Sequence, residues 1–200
     1  MSVFGVTGKL ASGKSTLVEL LKKKGAKTYD LDDVIHRYYR NKNSEVYKKI
    51  ITQFPRSVGK NKQISRKKLG EIVFACNAAR EKIEKIVHPV IIKDLRLWVK
   101  ENRKKEEFYI AEVPLLFEKN LACCFDRVIL VVASRQTILC RVQDKFGISK
   151  KDAAKRLSFF ISDKEKRKGS DFVVKNRGSM EELKKEVDVL WEKIKLDGIK

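Results

Sequence analysis

The sequence predicts an α/β fold: a three-layer α/β/α arrangement around a mainly parallel, five-stranded sheet. Two observations carry this. Five short apolar runs rich in Val, Ile, Phe and Tyr recur between long charged stretches with helical spacing, which is the β-α-β-α order of a parallel sheet. The first run leads directly into "GVTGKLASGKST", a glycine-rich turn followed by a leucine-rich helix.

The strand-like runs are "SVFGVTG" (2–8), "AKTYDLD" (26–32), "FYIAEVPLLF" (108–117), "RVILVVA" (127–133) and "DFVVKN" (171–176). Continuous apolar character predicts strands buried on both faces. Between the first two, Leu17, Leu20 and Leu21 form the core face of a helix starting near Lys14. Lys22 to Lys24 complement its C-terminal dipole, and Gly25 ends it. Residues 33–105 hold several helical pieces broken by "FPRSVGKNKQIS" and by "VHP", where Pro89 is expected to end the helix before it. Residues 137–169 read as a charged helical lid interrupted by "KFGIS". The last helix carries Leu183, Val187, Leu190, Trp191 and Ile194 at helical spacing, with Ser179 and Glu182 as its capping box. The whole, 1–200, reads as a single domain with no repeat or linker.

Composition limits the function. Lys and Arg number 46 against 26 Asp and Glu, a net charge of +20, which favours anionic partners. Much of that charge fits solvated helix faces. Cys76, Cys123, Cys124 and Cys140 form no C-x-x-C pair, and the two histidines lie far from them, so a zinc site is not expected. The Cys123–Cys124 pair is expected to be buried and inert. There is no signal-peptide pattern and no apolar run of membrane-spanning length, so a cytoplasmic protein is expected.

Gly8-x-x-x-x-Gly13-Lys14-Ser15 is a phosphate-binding loop of the P-loop NTPase type. The glycines take backbone angles closed to other residues and leave room for a phosphate. Loop amides and the helix dipole then converge on the anion. Lys14 reaches the β- and γ-phosphates, and the Ser15 hydroxyl ligates Mg²⁺. Nucleotide phosphate binding follows, with Mg²⁺ as a cofactor.

Three further clusters surround this loop in sequence. In "YDLDDVIHR", Asp30, Asp32 and Asp33 stand at the end of the second strand. Two roles fit: accepting a proton from an attacking hydroxyl, or capping the following helix through Asp32 or Asp33. In "AEVPLLFE", Glu112 interrupts an apolar strand, where a carboxylate is costly unless paired. It fits a water-bridged metal ligand, a group orienting Lys14 or the acceptor, or a structural ion pair. The basic run from Arg141 through Lys145, Lys150, Lys151, Lys155 and Arg156 to Lys164, Lys166 and Arg167 offers an arginine to close over phosphates. Most of the run reads as solvated surface. His88, beside Pro89, reads as structural from its chemistry alone.

Taken in order, these segments resemble the dephospho-CoA kinases. "YDLDDVIHR" is similar to that family's Asp-Ala-Asp-x-Ile segment, "ISRKKLGEIVF" to its Asp-Arg-x-x-Leu…Val-Phe, and "IVHPVI" to its Ile-x-His-Pro. "EVPLLFE" differs by one carboxylate from Asp-Val-Pro-Leu-Leu-Phe-Glu, and "DFVVKNRGSMEEL" resembles the C-terminal Asp-x-Val-Ile-x-Asn-x-Gly. The resemblance implies ATP-dependent phosphorylation of the ribose 3′-hydroxyl of dephospho-CoA, the last step of coenzyme A synthesis. It implies that Ala11, Ser12, Gly13, Lys14, Ser15 and Thr16 hold the ATP phosphates. Asp32 would be the general base with Thr7 nearby, and His88, Glu112 and Leu115 would line the acceptor side. Arg141 would be the lid arginine, and Asn176 and Gly178 would lie by the adenine.

Departures stand out. Lys9 and Ala11 replace loop glycines, so Ala11 is strained if its position needs a positive φ. Glu112 replaces Asp, Ile138 and Phe160 stand where Gln is common, and Lys145 stands where a second lid Arg is common. The expected partners are ATP and dephospho-CoA, with no membrane or nucleic acid, for a monomer or weak homo-oligomer. Two alternatives remain open: a P-loop kinase for another small acceptor such as a nucleoside monophosphate, and a basic P-loop nucleic-acid-binding protein. No RNP-type aromatic motif or zinc finger supports the second. No Asn-Lys-x-Asp motif supports a GTPase.

Overall fold

The computed structural model describes residues 2–158 and 160–197. Its sheet has five strands: β1 (Val3–Thr7), β2 (Lys27–Asp30), β3 (Tyr109–Glu112), β4 (Arg127–Val132) and β5 (Phe172–Lys175). Their order across the sheet is β2-β3-β1-β4-β5. β1 runs parallel to both β3 and β4, with Val6 opposite Glu112 on one side and Ile129 on the other, and β5 runs parallel to β4. Helices on both faces make the expected three-layer α/β/α sandwich.

β1 is buried throughout, and Gly5 sits in it because the chain is crowded there. A Cβ at Gly5 would lie 2.7 Å from Leu116 Cδ1 and 2.8 Å from a Phe125 ring atom. β2 corrects an expectation. It is an edge strand, exposed at both ends and half-buried between, not covered on both faces. β3 is shorter than its apolar run. It ends at Glu112, just ahead of Val113-Pro114, and Val113 N–H makes one more bond to Val6 O at 2.8 Å.

The chain divides into two compact units. The first comprises residues up to Tyr29 and from Val99 onward, and the second spans Asp30–Trp98. In the first, α1 (Lys14–Lys23) buries Leu17, Val18 and Leu21. α9 (Met180–Asp197) buries Leu183, Val187, Leu190 and Ile194 in the same core with Phe4, Val6, Ile129 and Val131. Trp191 is half-buried, edge-on to Phe108 with ring centres 5.2 Å apart. The Ser179 hydroxyl accepts from Glu182 N–H and donates to the Glu182 carboxylate, closing the helix start as its spacing predicts.

The predicted lid is three helices, α6 (Arg135–Phe146), α7 (Lys150–Leu157) and α8 (Asp163–Lys168). Ser134, Ser149 and Ser162 cap them, each hydroxyl accepting the N–H three residues on. Gly147, at φ 59°, ends α6 inside "KFGIS". Ile138, Leu139, Val142 and Ala153 form their core. One residue of the basic run departs from the solvated-face reading. Lys166 is fully buried, its ammonium 2.8 Å from the Glu118 carboxylate.

The second unit has its own core. α2 (Leu31–Arg40), α3 (Glu45–Gln53), a 3₁₀ turn at Pro55–Ser57, α4 (Arg66–Ala75) and the part of α5 (Asn77–Asn102) up to Trp98 surround Val46, Ile50, Phe54, Leu69, Ile83 and Ile91. An antiparallel bridge between Val58 and Ile64 closes the loop that separates α3 from α4. Pro89 does not end a helix, contrary to expectation, but lies inside α5. A proline interior to a helix costs about 3 kcal/mol. Burying Ile83, Ile86, Val87, Ile91 and Leu95 along one stripe gains roughly 1.5–3 kcal/mol each, so packing wins.

The Cys123–Cys124 pair differs from expectation, Cys123 being exposed and Cys124 half-buried; Cys76 and Cys140 are exposed free thiols. Cys76 caps the end of α4, Cys123 and Cys124 lie in a 3₁₀ turn at Ala122–Cys124, and Cys140 lies on α6. Among the described residues, no helix is long and apolar enough to cross a membrane.

Candidate functional site

The loop between β1 and α1 is held in shape residue by residue. Gly8 has φ 150°, and a Cβ there would stand 2.4 Å from Val131 O. Gly13 has φ 101°, and a Cβ would stand 2.1 Å from Asn176 Nδ2. Both glycines are thus required by φ and by space. Ala11 sits at φ 57°, the left-handed angle that a side chain takes at a cost of about 1–2 kcal/mol. The strain expected from this departure is present.

Tethers from three elements offset it. Asn176, just past β5 and only 3% exposed, donates from Nδ2 to Ser12 O at 2.9 Å. Arg141 on α6 reaches Ala11 O, Asn176 Oδ1 and Gly178 O at 3.4, 3.5 and 3.4 Å, contacts at the long limit of hydrogen bonding. Lys9 Nζ lies 3.5 Å from Asp163 Oδ2 on α8.

Several observations suit this loop to an anion. α1 has no side-chain cap at Gly13 and no acid in its first turn, so its dipole and leading amides face an uncapped end. The Ser12 hydroxyl is buried with no hydrogen-bond partner among the described residues, a donor that a phosphate oxygen would satisfy. Lys14 is buried and donates to Lys9 O at 3.0 Å, inside the loop it serves. Thr16 is half-buried in the first turn of α1.

Beside the loop, the Ser15 hydroxyl donates to Glu112 Oε1 at 3.0 Å. β3 brings Glu112 there by pairing with Val6 of β1. Hydroxyl and carboxylate are hard oxygen donors of the kind Mg²⁺ takes alongside substrate phosphates. Among the described residues no cluster of three His, Cys, Asp or Glu could hold a metal unaided. Thr7, at the end of β1, donates to Pro114 O at 3.3 Å, and Leu115 is half-buried in the same turn.

Thr7, Gly8, Ala11–Thr16, Glu112, Leu115, Arg141, Asn176 and Gly178 all belong to the first unit, and Asp32 and His88 to the second. Asp32 is exposed in the first turn of α2. It does not cap that helix, and neither does Asp33. The cap is Asp30, whose carboxylate accepts from Asp32 N–H at 2.8 Å and Asp33 N–H at 3.3 Å. Capping by Asp30 frees Asp32 of that task. His88 is half-buried in α5, its Nδ1 3.8 Å from Glu84 Oε2 one turn earlier.

Around Asp32, the same face of α2 carries His36 and Tyr39. Burial and the Arg66 guanidinium lower the His36 pKa, against the opposing pull of Asp32 and Asp33. Burial pushes Tyr39 up to about 12. Sequence reasoning did not single out Arg66 or His36. It also missed Asp163, although the Ser162-x-x-Glu165 box, once recognised, starts a helix there.

A parallel three-layer sheet with this tethered loop, its buried lysine and a serine–carboxylate pair defines a P-loop kinase. The particular kind follows from comparison. The family profile described as Dephospho-CoA kinase matches residues 2–182, and the chain belongs to that family. A dephospho-CoA kinase of Fusobacterium nucleatum subsp. nucleatum is 34% identical over 196 residues, covering 96% of this chain and 98% of that one. The dephospho-CoA kinase structure from Campylobacter jejuni matches with TM-score 0.67 at 28% identity over 96% of both chains. A crystal structure from Thermus thermophilus matches with TM-score 0.74, also at 28% identity and 96% coverage of both chains. The chain is therefore a phosphotransferase with an alcohol acceptor, acting in the ATP-dependent phosphorylation step of coenzyme A biosynthesis.

Proposed function

We propose that the Gly8–Thr16 loop binds the ATP phosphates and that Asp32 primes the ribose 3′-hydroxyl of dephospho-CoA for transfer of the γ-phosphoryl group. The single observation carrying this is the preshaped loop, with an uncapped helix start, an orphaned Ser12 hydroxyl and Lys14 held within it.

Loop amides bind the β-phosphate oxygens, and Lys14 exchanges Lys9 O for the β- and γ-phosphates. Ser15 and Glu112 are the residues that would hold Mg²⁺. When bound, the ion would supply charge neutralisation for the transferring phosphoryl group. Arg141 moves from its long contacts on the loop to the transferring group, where developing charge gives it better acceptors. Asn176 and Gly178 flank the adenine. Thr7, His88, Glu112 and Leu115 bind the acceptor with the 33–105 region. Asp32 accepts the hydroxyl proton as the oxygen attacks phosphorus, and ADP leaves with the charge of the broken bond. Closure of the 137–169 segment excludes water, which would otherwise compete as acceptor. The partners are thus small molecules, for a cytoplasmic monomer or weak homo-oligomer.

ADP release from purified protein, with and without dephospho-CoA, tests the reading. Release should depend on the acceptor. Asp32→Asn should keep ATP affinity and lose about 100-fold or more in kcat. Lys14→Ala should lose both ATP binding and rate. Unchanged turnover in Asp32→Asn removes that residue from the role, and normal ATP turnover in Lys14→Ala contradicts the loop assignment.

A further inference from the structure

We propose that Asp163 is a positioning residue for the phosphate loop, acting through Lys9. The inference rests on the loop being the ATP phosphate site.

The loop carries side chains at Lys9 and Ala11, and Ala11 is held at a left-handed angle. A loop so strained needs external support to keep its binding shape without nucleotide. Asn176 ties Ser12, and Arg141 ties Ala11 through a contact at the weak limit. The side chain of Lys9, the first variable position, is tied from α8, its Nζ 3.5 Å from Asp163 Oδ2, while its carbonyl accepts from Lys14 Nζ and from Ser12 N–H inside the loop. Asp163 therefore acts on the segment of loop that parks the phosphate-binding lysine.

Asp163 stands on a firm base. The capping box of Ser162 and Glu165 fixes the backbone on either side of it. The buried Lys166–Glu118 pair anchors the same helix, and Glu118 also accepts from Ile161 N–H at 3.1 Å. Asp163 Oδ1 is buried and has no hydrogen-bond partner among the described residues. It lines a cavity of about 280 Å³ together with Lys9, Arg135, Ile138 and Leu157. Two cations and one carboxylate thus meet beside the loop. The carboxylate holds Lys9 to one side of the phosphate cup and keeps its ammonium out of it.

Two effects of removing that carboxylate oppose each other. Loss of the tether loosens the loop and weakens ATP binding. Release of the Lys9 charge strengthens it. A positioning role predicts that the first wins. A partly exposed pair is worth about a two- to fivefold change in affinity, not a hundredfold.

The experiment measures Mg·ATP dissociation constants and steady-state kinetics for Asp163→Asn, Lys9→Met, the double variant, Asp163→Glu and Lys14→Ala. Asp163→Asn should weaken ATP binding about two- to fivefold at low salt, raise KM for ATP equally, and leave kcat within about twofold. The double variant should be no weaker than the poorer single one, and Asp163→Glu should recover most of the loss. About 0.5 M KCl should erase the difference from wild type. Tighter or unchanged ATP binding in Asp163→Asn, or additive losses in the double variant, overturns the proposal. If Lys14→Ala abolishes ATP binding while Asp163→Asn does nothing, only this inference fails. If Lys14→Ala also binds ATP normally, the loop assignment fails and takes this inference with it.

Discussion

Asp30, Asp32 and Asp33 are three like side chains within four positions, and the backbone decides among them. Asp30 is the last residue of β2, with φ −100° and ψ 113°, so its carboxylate folds back over the first amides of α2. Asp32 then points off the first turn of a helix whose next turns carry His36 and Tyr39. His36 faces Arg66 and Arg40, which oppose protonation, and Asp32 and Asp33, which favour it. Burial and Arg66 prevail, so its pKa lies below the usual 6.5. The unfolded chain then binds more protons between the two values, and stability rises with pH across that window. The contribution of neutral His36 is fully present above about pH 6.5 and is lost as pH falls through the lower folded value. Thermal melts from pH 7.5 to 5 should show His36→Gln losing part of the acid-side slope, and an NMR titration should find the imidazole below 6.5. A His36 value above 6.5 would reverse the sign and refute the assignment.

Elements were legible where pattern and chemistry agreed. The strand–loop–helix from Val3 to Lys23, the Ser179 helix start and the Gly147 stop follow from spacing, caps and φ demands that are local. Ala11 was legible in the same way, because the loop motif specifies the angle and the residue cannot take it freely. What escaped was set by distant partners. Pro89 looks like a stop until the apolar stripe on both sides of it is buried, and β2 looks like an inner strand until the sheet order places it at the edge. Lys166 looks like one more solvated lysine of "DKEKRK", yet it is enclosed against Glu118 and 5.6 Å from the Phe160 ring centre. Its 2.8 Å contact is ionic rather than an aligned hydrogen bond, and Glu118 Oε2 is buried with no hydrogen-bond partner among the described residues. Removing one charge leaves the other stranded, which costs more than the pair itself contributes. Lys166→Met should therefore destabilise by about 3 kcal/mol in urea unfolding, while adding Glu118→Leu should restore part of the loss. A double variant as unstable as the sum of the singles would show that the pair is not coupled.

At the scale of the whole molecule, the +20 charge and the division into two compact units bear on how two anionic substrates load. The charge supplies long-range attraction for both ATP and dephospho-CoA and does not distinguish them. Selectivity must come from the residues each substrate touches. The proposed ATP groups, from Gly8 to Thr16 with Arg141, Asn176 and Gly178, lie within the first unit, whereas the proposed acceptor groups include Asp32 and His88 of the second. Each unit has its own core, so each can open by its own local unfolding. A ligand slows exchange only in parts whose opening would release it, by a factor approaching the ratio of its concentration to its dissociation constant. At 100 times that constant, Mg·ATP alone should slow exchange in α1 by up to about 100-fold and leave α3 of the second unit unchanged. Dephospho-CoA alone should protect α2 and the α5 turn around His88, together with the Glu112–Leu115 segment. Protection confined to the first unit with dephospho-CoA would remove Asp32 and His88 from the acceptor site. Protection of α3 by ATP alone would show that nucleotide binding stabilises the second unit, against the assignment of its groups to the acceptor alone.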